Sequence, residues 1–156
     1  MRLSEFISLI FATGFGAGYA PKAPGTAGSL LAILLFLGIS HLDLYIYLFT
    51  LVVVFALSVY ASEFAGRYFN DVDAPKIVID EIIGMFITYI PLYFFPISAI
   101  NLAIGFILFR LFDITKPFPA NWANRIKRPV FVILDDIFAA IYAAIVLTLA
   151  LILRYR

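Results

Sequence analysis

The chain has no cysteine and little charge, and both shortages limit what it can be. Without cysteine among its 156 residues, it forms no disulfide framework and offers no thiol nucleophile. Charged residues make up only 13% of the sequence and the formal net charge is +1, so we expect no nucleic-acid partner. A single histidine, His41, excludes chemistry that needs two histidines.

Hydrophobic residues, in contrast, are abundant and fall in long runs. They make up 64% of the sequence, and the mean hydropathy of +1.05 is far above that of soluble domains. A spanning helix needs roughly 20 apolar residues, and the first run is too short for that. We therefore predict one all-α, membrane-embedded domain over residues 1–156, a polytopic bundle of about four to five spanning helices plus a short N-terminal re-entrant or interfacial helix. The short helix covers residues 3–13, and the main runs cover residues 44–62, 77–95, 97–113 and 130–153, with a further helix ending near residue 39.

Basic residues predict the orientation of the bundle. They occupy alternate loops, whereas the turns near His41 and Pro96 have neither lysine nor arginine. Because basic loops stay on the cytoplasmic side, these loops are expected there, and Arg154 and Arg156 are the exceptions. The loop cations are Lys22, Arg67, Lys76, Lys116, Arg125, Lys127 and Arg128.

Acidic residues interrupt three of the apolar runs near that same side. A central charge costs roughly 2.5–3.5 kcal/mol on insertion scales, so such residues normally face protein, water or a cation. Mg²⁺ prefers carboxylate oxygens and usually shares them with a substrate phosphate. We expect one cytoplasmic-facing site with Mg²⁺ as its cofactor. Its candidate metal ligands are Asp80, Glu81, Asp113, Asp135 and Asp136, and its candidate catalytic residues are Asp80, Glu81, Asp113 and Asp136.

Several polar groups nearby suit a phosphate, and the substrate that such a site can reach is a lipid head group. Arg110 lies three residues before Asp113 and shares its helical face, and Lys116 follows. Thr26 and Ser29 belong to a Gly/Pro-rich loop ahead of a helix, where backbone N–H groups bind anions.

Structural, non-catalytic interpretations also remain open for these residues. Asp80 and Glu81 can form a structural ion cluster with Arg110 or Lys116. Thr26 and Ser29 are equally suited to be helix caps. One acid of the Asp135-Asp136 pair can be structural or solvated, and Asp71 and Asp73 can simply be solvated. The cations Arg125, Lys127 and Arg128 can be a topology signal or contacts to anionic head groups.

Four stretches of the chain, in this order, resemble the phosphatidylglycerophosphatase A family. They are residues 21–30 (PKAPGTAGSL), 77–84 (IVIDEIIG), 109–119 (FRLFDITKPFP) and 134–136 (LDD). The resemblance implies a bacterial inner-membrane enzyme that uses Mg²⁺ to remove the terminal phosphate of phosphatidylglycerophosphate. It also implies that the five acids named above are the metal or catalytic positions, and that Asp73 matches a further acid of the family.

Alternatives to this function differ in the residues they require. A histidine-nucleophile lipid phosphatase needs at least two histidines, and a CDP-alcohol phosphotransferase needs a spaced run of four aspartates that is absent here. An ion or proton translocator is the remaining alternative. It expects acids distributed through the depth of the membrane, whereas the acids here are predicted at one face.

Overall fold

A computed structural model describes residues 2–156, and within them the chain is all α, as predicted. It forms seven α-helices and two short 3₁₀ helices, with no strand in the described part. The α-helices are α1 (Leu3–Ala12), α2 (Pro24–Ile39), α3 (Leu44–Phe69), α4 (Ile79–Thr88), α5 (Ala99–Thr115), α6 (Ala120–Asn124) and α7 (Pro129–Arg154). The 3₁₀ helices are Ala17–Tyr19 and Ile90–Tyr93.

Two of these helices, α3 and α7, are long and apolar enough to cross a membrane. Each has 26 residues, which corresponds to about 39 Å at 1.5 Å per residue. Large apolar side chains of α3, including Tyr45, Phe49 and Val52, are exposed, as expected for a surface in contact with lipid. The predicted four to five spanning helices are not confirmed, since among the described residues only α3 and α7 are both long and apolar enough to span.

The predicted helix over residues 77–95 is wrong in length. The observed α4 ends at Thr88 and a 3₁₀ helix containing Pro91 follows it. Proline lacks the N–H that would continue the helical ladder, and its ring clashes with the preceding turn. With 10 residues, α4 is about 15 Å long and too short to span the hydrocarbon core.

Helix α4 lies at the centre of the bundle and packs against α2, α3, α5 and α7. Most of its apolar side chains, such as Ile83 and Met85, are fully buried. At Gly84, an added Cβ would overlap the ring of Phe109 and lie 3.4 Å from the Asp136 carbonyl oxygen. Glycine therefore permits the close contact between α4, α5 and α7.

The N-terminal segment fixes the chain that leads into α4. Helix α1 is short, as predicted, and its Ala12 carbonyl accepts a hydrogen bond of 2.9 Å from the Val78 N–H. Gly18 lies against the backbone of Lys76, where an added Cβ would overlap the carbonyl oxygen. The start of α4 is therefore held from two sides.

Candidate active site

The acids that the sequence predicted to converge do line one cavity, of about 250 Å³. It lies between α2, α4, α5 and α7. The polar residues that line it are Asp73, Asp80, Glu81, Arg110, Asp113, Lys116, Asp135 and Asp136, and residues 23–25 complete one wall.

Three of these carboxylates form a cluster of their own. One oxygen from each of Asp80, Glu81 and Asp136 lies within 4.8 Å of the other two. Asp80 and Glu81 occupy the first turn of α4, and Asp136 comes from α7, which the close approach at Gly84 brings alongside. Glu81 Oε2 and Asp136 Oδ2 have no hydrogen-bond partner among the described residues. We refer to these three side chains as the acidic trio.

The other two predicted acids contact cations. Asp113 Oδ2 lies 2.7 Å from Arg110 Nη1, and Asp135 Oδ2 accepts a hydrogen bond from the Lys116 ammonium group. Arg110 Nη1 has no aligned hydrogen-bond acceptor among the described residues, so the contact with Asp113 is an ion pair that leaves N–H groups of Arg110 available. The cations are farther from the trio, at 4.0 Å from Arg110 Nη1 to Glu81 and 3.8 Å from Lys116 Nζ to Asp136.

Comparison with known proteins identifies the family. The sequence profile described as Phosphatidylglycerophosphatase A matches residues 10–151. The chain belongs to the phosphatidylglycerophosphatase A family. This confirms the resemblance drawn from the four motifs and the expected enzyme class. Nothing in the comparisons supports the translocator alternative.

Three relatives align with most of the chain. Proteins named Phosphatidylglycerophosphatase A from Escherichia coli and Haemophilus influenzae are 34% and 36% identical, over 86% and 88% of this chain and 78% and 84% of their own length. A Bacteroides thetaiotaomicron protein named "Putative phosphatidylinositol-3-phosphatase" is 31% identical over 96% of this chain and 97% of its own. No solved structure matches the chain significantly.

In this family member, Lys116 is surrounded by acids from α5 and α7. Its Nζ lies 3.7 Å from Asp113 Oδ1 and 3.8 Å from Asp136 Oδ1, in addition to its hydrogen bond to Asp135. Burial acts to lower the pKa of Lys116, but the negative charges of these three acids outweigh it and raise the pKa above the ordinary lysine value. Lys116 is therefore a cation at neutral pH.

Asp73 also lines the cavity, where the sequence left open whether it is solvated or functional. Its Oδ2 lies 2.6 Å from Lys127 Nζ, which links the loop before α4 to the loop before α7 at the cavity edge. The sequence does not predict this pair, because 54 residues separate its two partners.

The structure does not bring Thr26 and Ser29 to the cavity lining. Both lie inside α2, which begins at Pro24 without a side-chain cap, so neither residue caps it. The Ser29 hydroxyl donates to the Gly25 carbonyl at 2.8 Å and is fully buried. Helix α2 contributes its first two residues, Pro24 and Gly25, to the cavity lining. A Cβ added at Gly25 would overlap Glu81 Oε1, which explains a glycine there.

Pairing the charges singles out the trio. Six carboxylates line the cavity, and three of them, Asp73, Asp113 and Asp135, have a close cation in Lys127, Arg110 and Lys116. The remaining three are the acids that converge. Burying three like charges together is unfavourable unless a cation joins them or some of them are protonated.

Proposed function

We propose that this enzyme hydrolyses the terminal phosphomonoester of phosphatidylglycerophosphate to give phosphatidylglycerol and phosphate, a step of phospholipid biosynthesis. Membership of the phosphatidylglycerophosphatase A family and the names of two relatives support the substrate. The observation that carries the proposal is the acidic trio beside Arg110 and Lys116, because it combines a cation site with groups that bind phosphate in one cavity.

The donor set of the trio fits Mg²⁺. This ion takes oxygen ligands, is commonly held by one or two carboxylates plus substrate phosphate, and keeps several waters. Asp80, Glu81 and Asp136 supply such oxygens, and two of these oxygens lack any other partner among the described residues. When bound there, Mg²⁺ would polarise the phosphoryl group and favour the deprotonated form of a water.

The protein's own cations bind the phosphate in this proposal. Arg110 and Lys116 line the cavity, and Arg110 Nη1 has no hydrogen-bond acceptor among the described residues; both cations would form charge-assisted hydrogen bonds to phosphate oxygens. Helix α2 begins with Pro24, which has no N–H, so its start offers the backbone N–H of Gly25 and the positive end of the helix.

Hydrolysis then requires a proton acceptor for the attacking water. Water oxygen forms a bond to phosphorus, the bond from phosphorus to the glycerol oxygen breaks, and that oxygen takes up a proton. In this proposal a carboxylate of the trio accepts the proton of the water and then passes it to the glycerol oxygen. Asp113 contributes to the same reaction by holding Arg110.

We further propose that the cavity opens toward the cytoplasm from a multi-pass protein of the bacterial inner membrane. Support comes from the basic residues beside the cavity and from the two helices that are long enough to span. Because the chain has no cysteine, single substitutions such as Lys76→Cys and His41→Cys test this directly. Lys76→Cys should react with an impermeant maleimide only after the inner membrane is opened, and His41→Cys should react from outside.

A second candidate substrate is a phosphoinositide, since a relative that covers nearly the whole chain is named as a phosphatidylinositol-3-phosphatase. Purified protein is assayed for phosphate release from phosphatidylglycerophosphate and from phosphatidylinositol 3-phosphate, with Mg²⁺ or with chelator. We expect faster release from phosphatidylglycerophosphate and loss of activity on chelation. Asp80→Asn, as an inactive control, should abolish release. Faster release from the inositol lipid would select the second candidate, and release that survives chelation would refute the role of Mg²⁺.

A further inference from the structure

Asp113 and Asp135 differ from the acidic trio in what they contact. Each lies against a cation of the cavity, Asp113 against Arg110 and Asp135 against Lys116. We infer that Asp113 and Asp135 are positioning residues, which hold Arg110 and Lys116 toward the substrate phosphate and do not ligate the metal. The inference rests on the proposed phosphatase function.

Electrostatics separates the two groups of acids. A metal ligand must approach Mg²⁺ to about 2.0–2.1 Å. At Asp113 Oδ2 that approach would bring the ion close to a guanidinium nitrogen 2.7 Å away, and like charges repel strongly where water is scarce. One oxygen each of Asp113 and Asp135 is in direct contact with a cation, whereas the described cations nearest the trio are 3.8 and 4.0 Å away.

The backbone directs Lys116 toward its acid. Lys116 follows the end of α5 with φ of 41°, a left-handed conformation that residues other than glycine seldom adopt. From this position its side chain reaches Asp135 of α7, which is only 2% exposed. Strain of this kind persists where the surrounding structure requires it, frequently at functional sites.

Arg110 is held in a different way. It and Asp113 are three residues apart on α5, on one face of the helix. The Gly25 backbone also confines it, since a Cβ at that position would lie 3.2 Å from Arg110 Nη1. Without Asp113 the long side chain would regain rotamer freedom, and the substrate would then have to order it.

Binding measurements without turnover test whether Asp113 and Asp135 are positioning residues or metal ligands. The probes are Mn²⁺, followed by electron paramagnetic resonance, and inorganic phosphate, measured as a ligand in the presence of Mn²⁺. We expect Asp113→Asn and Asp135→Asn to keep Mn²⁺ affinity within about threefold and to weaken phosphate affinity about tenfold, the scale of one charge-assisted hydrogen bond. The matched variant Asp80→Asn should weaken Mn²⁺ affinity at least about tenfold. Loss of Mn²⁺ affinity in Asp113→Asn or Asp135→Asn equal to that in Asp80→Asn would overturn the inference.

Kinetics supply a readout that general structural damage would not reproduce. In the two aspartate variants, KM for the lipid should rise more than kcat falls. Asp113→Asn should add little to Arg110→Gln, and Asp135→Asn little to Lys116→Gln, because each acid acts through its cation. Asp113→Glu, which keeps the charge, should recover most of the phosphate affinity. Additive effects within these pairs would contradict the positioning role even if one variant folds poorly.

Failure of the proposed function has a different signature. Wild-type protein that releases no phosphate from either lipid would refute that function. The Mn²⁺ and phosphate arms would still show whether Asp113 and Asp135 belong with the metal ligands.

Discussion

Three glycines of α2 differ in what a methyl group would meet, and they offer a graded test of the site. Gly25, Gly28 and Gly38 lie on the same helix. A Cβ at Gly25 would overlap Glu81 Oε1, one at Gly28 would lie 2.7 Å from Val78 Cβ, and one at Gly38 would meet nothing within 4 Å. Substitution by alanine at each position therefore separates loss of function from loss of packing.

The magnitudes follow from the rigidity of each neighbour. At Gly28 the neighbours are the β-branched side chain of Val78 and its backbone, so overpacking should destabilise the protein by about 1–3 kcal/mol. The higher helix propensity of alanine offsets part of this cost. At Gly38 only the higher helix propensity of alanine acts, and it should stabilise the protein by about 0.5–1 kcal/mol. At Gly25 the neighbours are the ends of two flexible side chains, the Glu81 carboxylate and, at 3.2 Å, Arg110 Nη1; because the carboxylate can retreat, stability should change little. The retreat moves Glu81 out of the acidic trio, and a displacement of about 1 Å can cost about 10²-fold in rate.

The assay combines thermal unfolding in detergent with Mg²⁺-dependent phosphate release. Gly25→Ala should unfold near the wild-type temperature but release phosphate about 10²-fold more slowly. Gly28→Ala should unfold at a lower temperature, and Gly38→Ala should match or exceed the wild type in stability and keep its activity. Wild-type activity in Gly25→Ala would refute the role given to the contact between α2 and Glu81. An unfolding temperature as low as that of Gly28→Ala would show that the effect is structural.

Three further predictions test other parts of the molecule. Tyr47→Phe should lower stability by about 1 kcal/mol, because the buried Tyr47 hydroxyl donates a hydrogen bond of 2.8 Å to the Phe86 carbonyl. Phosphate release should not change, because neither residue lines the cavity; a thermal melt and a rate measurement check this. Lys127→Met should raise KM for the anionic lipid with little loss of stability, because it leaves Asp73 without its cation at the cavity edge; unchanged kinetics would contradict it. Adding Mg²⁺ should raise the unfolding temperature of the wild type but not of Asp136→Asn, since only a folded site binds the ion.

The location of the site was predictable from the sequence because the chain is so apolar. A charged residue inside an apolar helix is costly enough that each one requires an explanation. The alternation of basic loops with loops that lack lysine and arginine then predicted that Asp80, Asp113 and Asp135 lie at one side of the bundle, and all three line the cavity. The pairing of the charges was not predictable. Asp135 and Asp136 are adjacent on α7, yet the first contacts Lys116 closely and the second belongs to the trio, because neighbouring residues of a helix point about 100° apart.

The length of α4 was not predictable from hydropathy. Residues 77–95 form a nearly unbroken apolar run, which indicates burial but does not distinguish lipid from protein as the surroundings. Within this run, α4 is buried by α2, α3, α5 and α7, so it does not have to span. Beyond it, the Tyr89 hydroxyl donates to the Leu102 carbonyl of α5 at 2.8 Å, a contact between elements that no local pattern encodes.

Helix polarity explains why the acids of one cavity have different partners. Asp80 and Glu81 lie in the first turn of α4, where the positive end of the helix offsets part of the negative charge without occupying the carboxylate oxygens. Asp113 lies in the last turn of α5, where the negative end of the helix disfavours an acid, and there Arg110 and Lys116 flank it. The dipole of α4 therefore offsets part of the charge of Asp80 and Glu81, and side-chain cations offset that of Asp113, whereas Asp136 lies beyond the first turn of α7 with its Oδ2 unpartnered among the described residues. The carboxylates without a close side-chain cation keep oxygens free for a metal ion, whereas those in direct contact with Arg110 and Lys116 position the cations that meet the phosphate.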